Sequence, residues 1–309
     1  MKHERWGVIY CPTEGNRKRQ RRWKRIRDYL EHSGQAFDFV QSDGADSVER
    51  LSGMFTLNGY DTIVVVGGDA ALCEALNGML KATPKGGEYP KLGVIPNGLI
   101  NDFARYWGFR PSAPETTIDA LQKGRTRLVD VGRVRLQTIN GEIIERSFLN
   151  CVNVGLAASI IKLRRRAHSF WRGIGWLREL SSAFMLLLHR HSTRMTLHIG
   201  SGDYSQRITT LCIGSCTGYG QTPSAVPYNG LLDVSAVRRP ELLQAFAALV
   251  LLFRRRFLSQ KGISVWRAAA VEVKRIGRVA VSVDGRAIHR HITALSVDIR
   301  QEVIPFLIP

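Results

Sequence analysis

Two glycine corners carry the residue types that phosphate chemistry uses. In TIVVVGGDAALCEALNGML, Thr62 to Leu80, four consecutive apolar residues, Ile63 to Val66, run into Gly67, Gly68 and Asp69 and then into a helical pattern. A continuous apolar, β-branched run predicts a strand buried on both faces. Glycines at its end let the backbone come close to a ligand, and the first turn of the following helix offers N–H groups to an anion. Glycine also suits a strand-to-helix corner of any function. A second corner follows in LGVIPNGLINDFARYWGF, Leu92 to Phe109, where a buried strand ends in Pro96, Asn97 and Gly98, with Asn101 and Asp102 ahead of an aromatic helical turn. Two such corners on one crevice suit a phosphate-bearing ligand.

These corners need a scaffold, and the alternation of patterns supplies one. Up to residue 128 strands are expected at Trp6–Tyr10, Ala36–Gln41, Thr62–Val66 and Lys91–Ile95, and helices at Asn16–His32, Asp46–Asn58, Ala70–Leu80, Asn101–Trp107 and Pro114–Lys123. Repeated strand-helix units imply an α/β domain, 1–128, with a parallel sheet and helices on both faces. Ligands of such sheets bind at the carboxyl ends of the strands. Over 129–309 the pattern turns to short strands, at Leu128–Gln137, Ile143–Cys151, Thr193–Ile199, Arg207–Ile213, Asp233–Val237, Ala269–Lys274 and Val279–Val283. They predict a mainly antiparallel second domain, interrupted by helical stretches at Trp171–His189 and Pro240–Phe257. A return of the last strand to the first domain is left open.

Composition bounds the partners. Of 309 residues 44% are apolar and 23% charged, which is globular, and 44 Lys+Arg against 26 Asp+Glu leave a net charge of +18. A field of that sign favours anionic partners: nucleic acid, an anionic membrane face or phosphorylated small molecules. Nucleic acid is disfavoured, because no helix-turn-helix, RNP or zinc-finger signature is present. The run Arg17 to Arg27 reads as a solvated or phosphate-facing helix whose apolar stripe is Trp23, Ile26 and Leu30. Five scattered cysteines without C-x-x-C spacing argue for reduced thiols, against zinc and for a cytoplasmic location. No export signal is expected at the start, and the most apolar segment, Leu242 to Phe253, is shorter than the roughly 20 residues a transmembrane helix needs. The histidine pairs His189/His191 and His289/His291 lack the carboxylate or cysteine company of a metal site.

The motifs and their order resemble the diacylglycerol kinase catalytic-domain family, lipid kinases that include sphingosine and ceramide kinases and are distantly related to NAD kinases. The family's GGDGT loop and E-x-x-N-G helix are matched at Gly67, Gly68, Asp69, Glu74, Asn77 and Gly78. Its P-x-G-T-x-N-D-F-A-R segment is matched at Pro96, Gly98, Asn101, Asp102, Phe103, Ala104 and Arg105. VDVG (Val129–Gly132), FLNCVNVGLAA (Phe148–Ala158), VPYNGLLDV (Val226–Val234) and VDGR (Val283–Arg286) stand where the family has similar segments.

The resemblance implies an NAD kinase/diacylglycerol kinase-like α/β domain followed by a β-sandwich-like one, with the nucleotide in the cleft. It implies transfer of the ATP γ-phosphoryl group to a lipid hydroxyl, of diacylglycerol, a sphingoid base or a ceramide-like alcohol, with Mg²⁺ neutralising charge. Gly67, Gly68, Pro96, Asn97, Gly98 and Asn101 would hold the nucleotide; Asp69, Asp102, Asp130 and Asn229 would organise Mg²⁺; Asp69, Asp284 and Arg286 would be catalytic. A lipid substrate also implies a peripheral protein at an anionic membrane, with the apolar, arginine-flanked segments Ser169–Arg190 and Leu242–Phe257 as docking elements. A homodimer is left open. The chain departs from the family at Ala70 and Ala71 in the glycine loop, at Leu99 for a threonine, at Cys11-Pro12 for Asn-Pro, at Asn229 for an aspartate and at Arg286 for the glutamate of D-G-E. A guanidinium cannot accept a proton. The alternative is therefore a catalytically weak or inactive nucleotide- or lipid-binding regulator on the same fold.

Overall fold

The computed structural model describes residues 5–12, 17–162, 192–238 and 262–309. The expected helices Trp171–His189 and Pro240–Phe257, the docking segments they contain and the pair His189/His191 lie outside the described residues. The chain divides into two compact units, Met1–Val131 with Gln301–Pro309, and Gly132–Arg300.

The first unit is a parallel α/β structure. Its strands are β1 (Trp6–Tyr10), β2 (Phe37–Gln41), β3 (Thr62–Gly67) and β4 (Lys91–Pro96). They lie in the order β2-β1-β3-β4, all parallel, as the strand-helix alternation predicts. The end of β15 (Ile292–Leu307) adds a further parallel strand at Phe306 beside Leu92. The sequence pattern set no bounds for β15, the last strand, whose return to the first domain it left open. Every residue of β1 and β3 is buried. Apolar runs without alternation belong in a sheet covered on both faces, where each Val or Ile stabilises the fold by roughly 1.5–3 kcal/mol.

The covering helices are α1 (Arg17–His32), α2 (Ala45–Leu57), α3 (Asp69–Ala82), α4 (Asp102–Tyr106) and α5 (Pro114–Gln122). α1 packs with α5, and α2 with α3. The α2/α3 crossing explains two residues of the E-x-x-N-G match in structural terms. A Cβ on Gly78 would lie 2.0 Å from the Ser52 hydroxyl and 2.1 Å from the Glu49 carbonyl oxygen, while that hydroxyl donates to the Ala75 carbonyl at 2.9 Å. Asn77 donates back along α3 to the Cys73 carbonyl at 2.8 Å.

The second unit is mainly antiparallel. β7 (Cys151–Gly155), β8 (Thr193–Ile199) and β10 (Leu232–Arg238) all pair with the long β9 (Gly202–Gly214). β11 (Ile263–Ala268) flanks β10, and β12 (Ala270–Lys274) joins β8 to the start of β15. β13 (Val281–Val283) and β14 (Arg286–Ile288) form a hairpin on β7. β5 (Thr126–Thr138) pairs with β6 (Ile143–Phe148), where Gly132 passes under the Phe148 ring; a Cβ there would lie 2.2 Å from it.

The single strand expected over Ile143–Cys151 is two, β6 and β7. Between them the amides of Leu149 and Asn150, with that of Cys151, leave the ladder and donate to the Asp284 carboxylate at 2.8, 3.0 and 2.8 Å. Asn150, within the matched Phe148–Ala158 segment, accepts from the Gly218 amide at 2.8 Å and anchors the 3-10 turn Gly218–Gly220. β11 and β14 are strands that the sequence pattern did not mark.

Candidate active site

Both corners form where a buried parallel strand stops. β3 ends at Gly67 and α3 starts at Asp69, so Gly68 alone makes the turn, in an extended conformation at φ −120° and ψ −174°. β4 ends at Pro96, and the chain from Asn97 to Asn101 leads into α4. The corners are bonded to each other. The Gly67 carbonyl accepts the amides of Asn97 at 2.8 Å and Gly98 at 3.0 Å, and the Asp69 amide donates to the Ile100 carbonyl at 3.0 Å.

That contact sets the demand for glycine. A Cβ on Gly98 would lie 2.2 Å from the Gly68 Cα, and a Cβ on Gly68 would lie 2.4 Å from the Ile100 oxygen. Gly68 and Gly98 therefore make room for one another, whereas the sequence reading had them make room for phosphate. The Gly98 amide, expected to face phosphate, also donates to Asn101 Oδ1 at 2.9 Å, and Asn101 Nδ2 returns a bond to the Gly98 carbonyl at 3.0 Å. In the first turn of α3 the amides of Ala71 and Leu72 both donate to the Gly68 carbonyl at 3.0 Å.

The carboxylates hold backbone. Asp69 is buried; its Oδ2 accepts the Asp102 amide at 2.9 Å and its Oδ1 the Phe103 amide at 3.2 Å. A carboxylate there stabilises the exposed donors of the first turn of α4. Asp102, the first residue of that helix, pairs with Arg105 at 3.0 Å. Asp130, fully buried on β5, accepts the amide of Glu302 at 2.9 Å where Glu302 takes φ +48°, and so fastens β15 as it returns to this unit. Asp69 and Asp102 are brought together around the start of α4. Among the described residues no three His, Cys, Asp or Glu side chains gather as a metal cage.

A residue that the sequence reading did not single out joins this site. Arg22 of α1 donates to Asn97 Oδ1 at 3.0 Å. Its neighbour Trp23 stacks flat on Tyr10, ring centroids 4.2 Å apart, which fixes α1 against the last residue of β1. Burial, then the Arg25 guanidinium, pull Arg22 below the ordinary arginine value. A cation in that setting gains from an anion. The signal was present as the run Arg17 to Arg27, but only packing shows which of its arginines turns to Asn97. Cys11, where the family has asparagine, follows β1 beside this corner; its amide donates to the Val66 carbonyl at 3.0 Å. Burial pushes its thiol up to about 11, against a weaker opposing hydrogen bond from Ser42.

The remaining expected residues belong to the second unit. Asn229 is exposed, and its Oδ1 accepts the Leu231 amide at 3.0 Å in a local turn. Asp284 and Gly285, at φ +43° and +76°, are the two turn residues between β13 and β14, both positive as a tight hairpin requires. Asp284 is buried and its carboxylate takes the three amides of 149–151, so the site expectation of a base meets a side chain that braces backbone. Arg286 opens β14 opposite Val283 and is partly buried.

The donor set in the first unit fits a magnesium nucleotide. A carboxylate has up to about four acceptor positions, so Asp69 besides its two amides, and Asp102 besides Arg105, can each take a water of a hydrated Mg²⁺, and Arg22 offers a guanidinium to phosphate.

Residues 5–134 match the family described as "Diacylglycerol kinase catalytic domain". A diacylglycerol kinase of Mycobacterium tuberculosis (strain CDC 1551 / Oshkosh) is 29% identical, over 83% of this chain and 80% of its own. One of Bacillus subtilis (strain 168) is 21% identical over 90% and 88%. Among solved structures, a diacylglycerol kinase from Bacillus anthracis str. Sterne superposes with a TM-score of 0.68 at 16% identity, covering 100% of this chain and 98% of its own. Yeast NADH kinase complexed with NADH reaches 0.55 at 11% identity, over 97% and 82%. The structures establish the two-part fold, α/β then antiparallel β. The sequence matches support placement in the broader diacylglycerol-kinase-like family and a lipid-kinase-like function in general.

Proposed function

We propose that this chain, diacylglycerol-kinase-like in its residues 5–134 and in its fold, is an ATP-dependent lipid kinase that phosphorylates the hydroxyl of a membrane lipid: diacylglycerol, a sphingoid base or a ceramide-like alcohol. The observation that carries this reading is Arg22 held on Asn97 at the joined corners: a guanidinium disfavoured by burial at the carboxyl ends of parallel strands. Arg22, Asn97 and Asn101 would hold the nucleotide, with Gly67, Gly68, Pro96 and Gly98 shaping the corners. Asp69, Asp102, Asp130 and Asn229 are the proposed oxygen donors around Mg²⁺, with Asp69 and Asp102 foremost because both stand at the start of α4. Mg²⁺ when bound would neutralise charge on the transferring phosphoryl group.

Asp284 acts in this reading as a positioning residue for the 149–151 backbone, and Arg286 as a positive group toward the phosphoryl group. General-base help is worth about 10²–10⁴-fold, so loss of the family's glutamate slows transfer without removing the electrostatic part of catalysis. The protein would work in the cytoplasm as a peripheral protein on an anionic membrane. Among the described residues no helix is long and apolar enough to cross a membrane.

The decisive measurement is incubation with radiolabelled ATP, Mg²⁺ and a panel of lipid alcohols in mixed micelles. A labelled lipid phosphate is the expected product. ATP binding by calorimetry without any labelled lipid, at high enzyme, leaves the second reading, a nucleotide-binding regulator, which Ala70, Ala71 and the amide-bound Asp284 favour. Neither heat nor product would remove the kinase and the nucleotide-binding regulator and leave only a lipid-binding one.

A further inference from the structure

A second basic site lies wholly within the second unit and apart from any residue named above for nucleotide or metal. A cavity of about 490 Å³ is walled by the turn that follows β12, by the start of β15 and by Gln137 of β5. Lys274, Arg275, Arg278 and His291 line it, with Thr293, and no acidic residue does. None of these four basic side chains is in an ion pair among the described residues. Glu272, the nearest carboxylate back along β12, is not part of the wall.

The backbone of the wall is fastened at two points. Between the two arginines Ile276 is fully buried, and its amide donates to the Thr293 carbonyl at 2.9 Å, pinning the turn to β15. The Thr293 hydroxyl donates to the Gln137 carbonyl at 3.2 Å and ties β15 to β5. Arg275 takes φ +61°, a conformation that asparagine or glycine adopts at lower cost. Lys274, Arg275 and Arg278 are exposed cations lining one concavity; like charges so placed repel one another, and an anion that accepts from several of them at once relieves that repulsion.

We propose that this pocket binds a phosphate monoester, through Lys274, Arg275 and Arg278. The group could arrive on a soluble metabolite or as the headgroup of a lipid, and the two sources share the chemistry of a compact dianion with several acceptor oxygens. The site does not depend on the nucleotide corners, so its test uses no ATP and stands whether or not the kinase reading does.

The test compares the full chain with the double variant Arg275→Ala/Arg278→Ala, and with Arg278→Gln in case the double variant does not fold, as judged by circular dichroism. Calorimetry with inorganic phosphate and with glycerol 3-phosphate reads the soluble arm. Co-sedimentation with phosphatidylcholine vesicles, with and without phosphatidic acid, reads the lipid arm. Binding in at least one arm is expected to weaken about tenfold in the variants. Two cations removed from a chain with 44 Lys+Arg change the overall field little, so a loss of that size marks a site and not diffuse attraction. Equal binding by variant and parent in both arms, or no binding of either phosphate probe or phosphatidic acid by the parent, would overturn the proposal.

Discussion

Arg22 and Asp69 can be told apart by what their loss changes. Arg22 makes one side-chain bond to Asn97 and lies on a solvent-facing helix. Arg22→Ala is therefore expected to weaken ATP binding about tenfold while leaving the denaturation midpoint near that of the parent; Arg25→Ala, paired with Glu115 instead, is the control. Asp69→Ala leaves two amides of α4 without acceptors and should cost about 2–4 kcal/mol in urea unfolding. Were Asp69→Ala as stable as the parent, its carboxylate would not be the cap of α4 that its bonds describe. Cys11 gives a pH signature. Its folded thiol is held up to about 11 from an ordinary 9.0. Between those values the unfolded chain releases a proton that the folded chain keeps, so stability present below pH 9 falls as pH rises toward 11. Alkylation of Cys11 at pH 8, followed by peptide mass mapping, should be slow in the folded protein and fast in urea.

At the scale of elements the site is a junction of two strand ends, and its integrity rests on backbone packing. Gly98→Ala places a methyl 2.2 Å from the Gly68 Cα, where neither partner is a flexible side chain. It should destabilise by about 1–3 kcal/mol or more and abolish nucleotide binding, because Asn97 and Asn101 move with the loop. Gly78→Ala meets Ser52 and the Glu49 carbonyl and should lower stability comparably while sparing the corners. Thermal melts combined with ATP titration separate the two outcomes. The paired glycine matches thus report two close approaches, loop on loop and helix on helix. In a single sequence either is indistinguishable from a glycine that faces a ligand, since all three require only the absence of a Cβ.

Over the whole molecule, a net charge of +18 acts through the field more than through any contact. Association with anionic vesicles should fall steeply as salt rises from about 0.1 to 1 M, where the screening length shrinks from about 10 to 3 Å. Retained binding at high salt would instead indicate apolar insertion as the main attachment. The two units, Met1–Val131 with Gln301–Pro309 and Gly132–Arg300, differ in pattern: buried apolar runs alternating with helices in the first, short strands with turn residues between them in the second.

Local pattern determined a good deal by itself. Continuous apolar runs such as Ile63–Val66 specify strands covered on both faces, because only that environment removes every one of these side chains from water. Strand-helix alternation then specifies a parallel sheet, and the order of motifs specifies the family resemblance. Tertiary structure decided the rest: that Gly68 and Gly98 pack on each other, that the carboxylates of Asp69, Asp130 and Asp284 grip distant amides, and that Arg22 among its neighbouring arginines reaches Asn97. Each depends on which segments, 30 to 172 residues apart in the chain, end up within about 3 Å, a distance that no local pattern encodes.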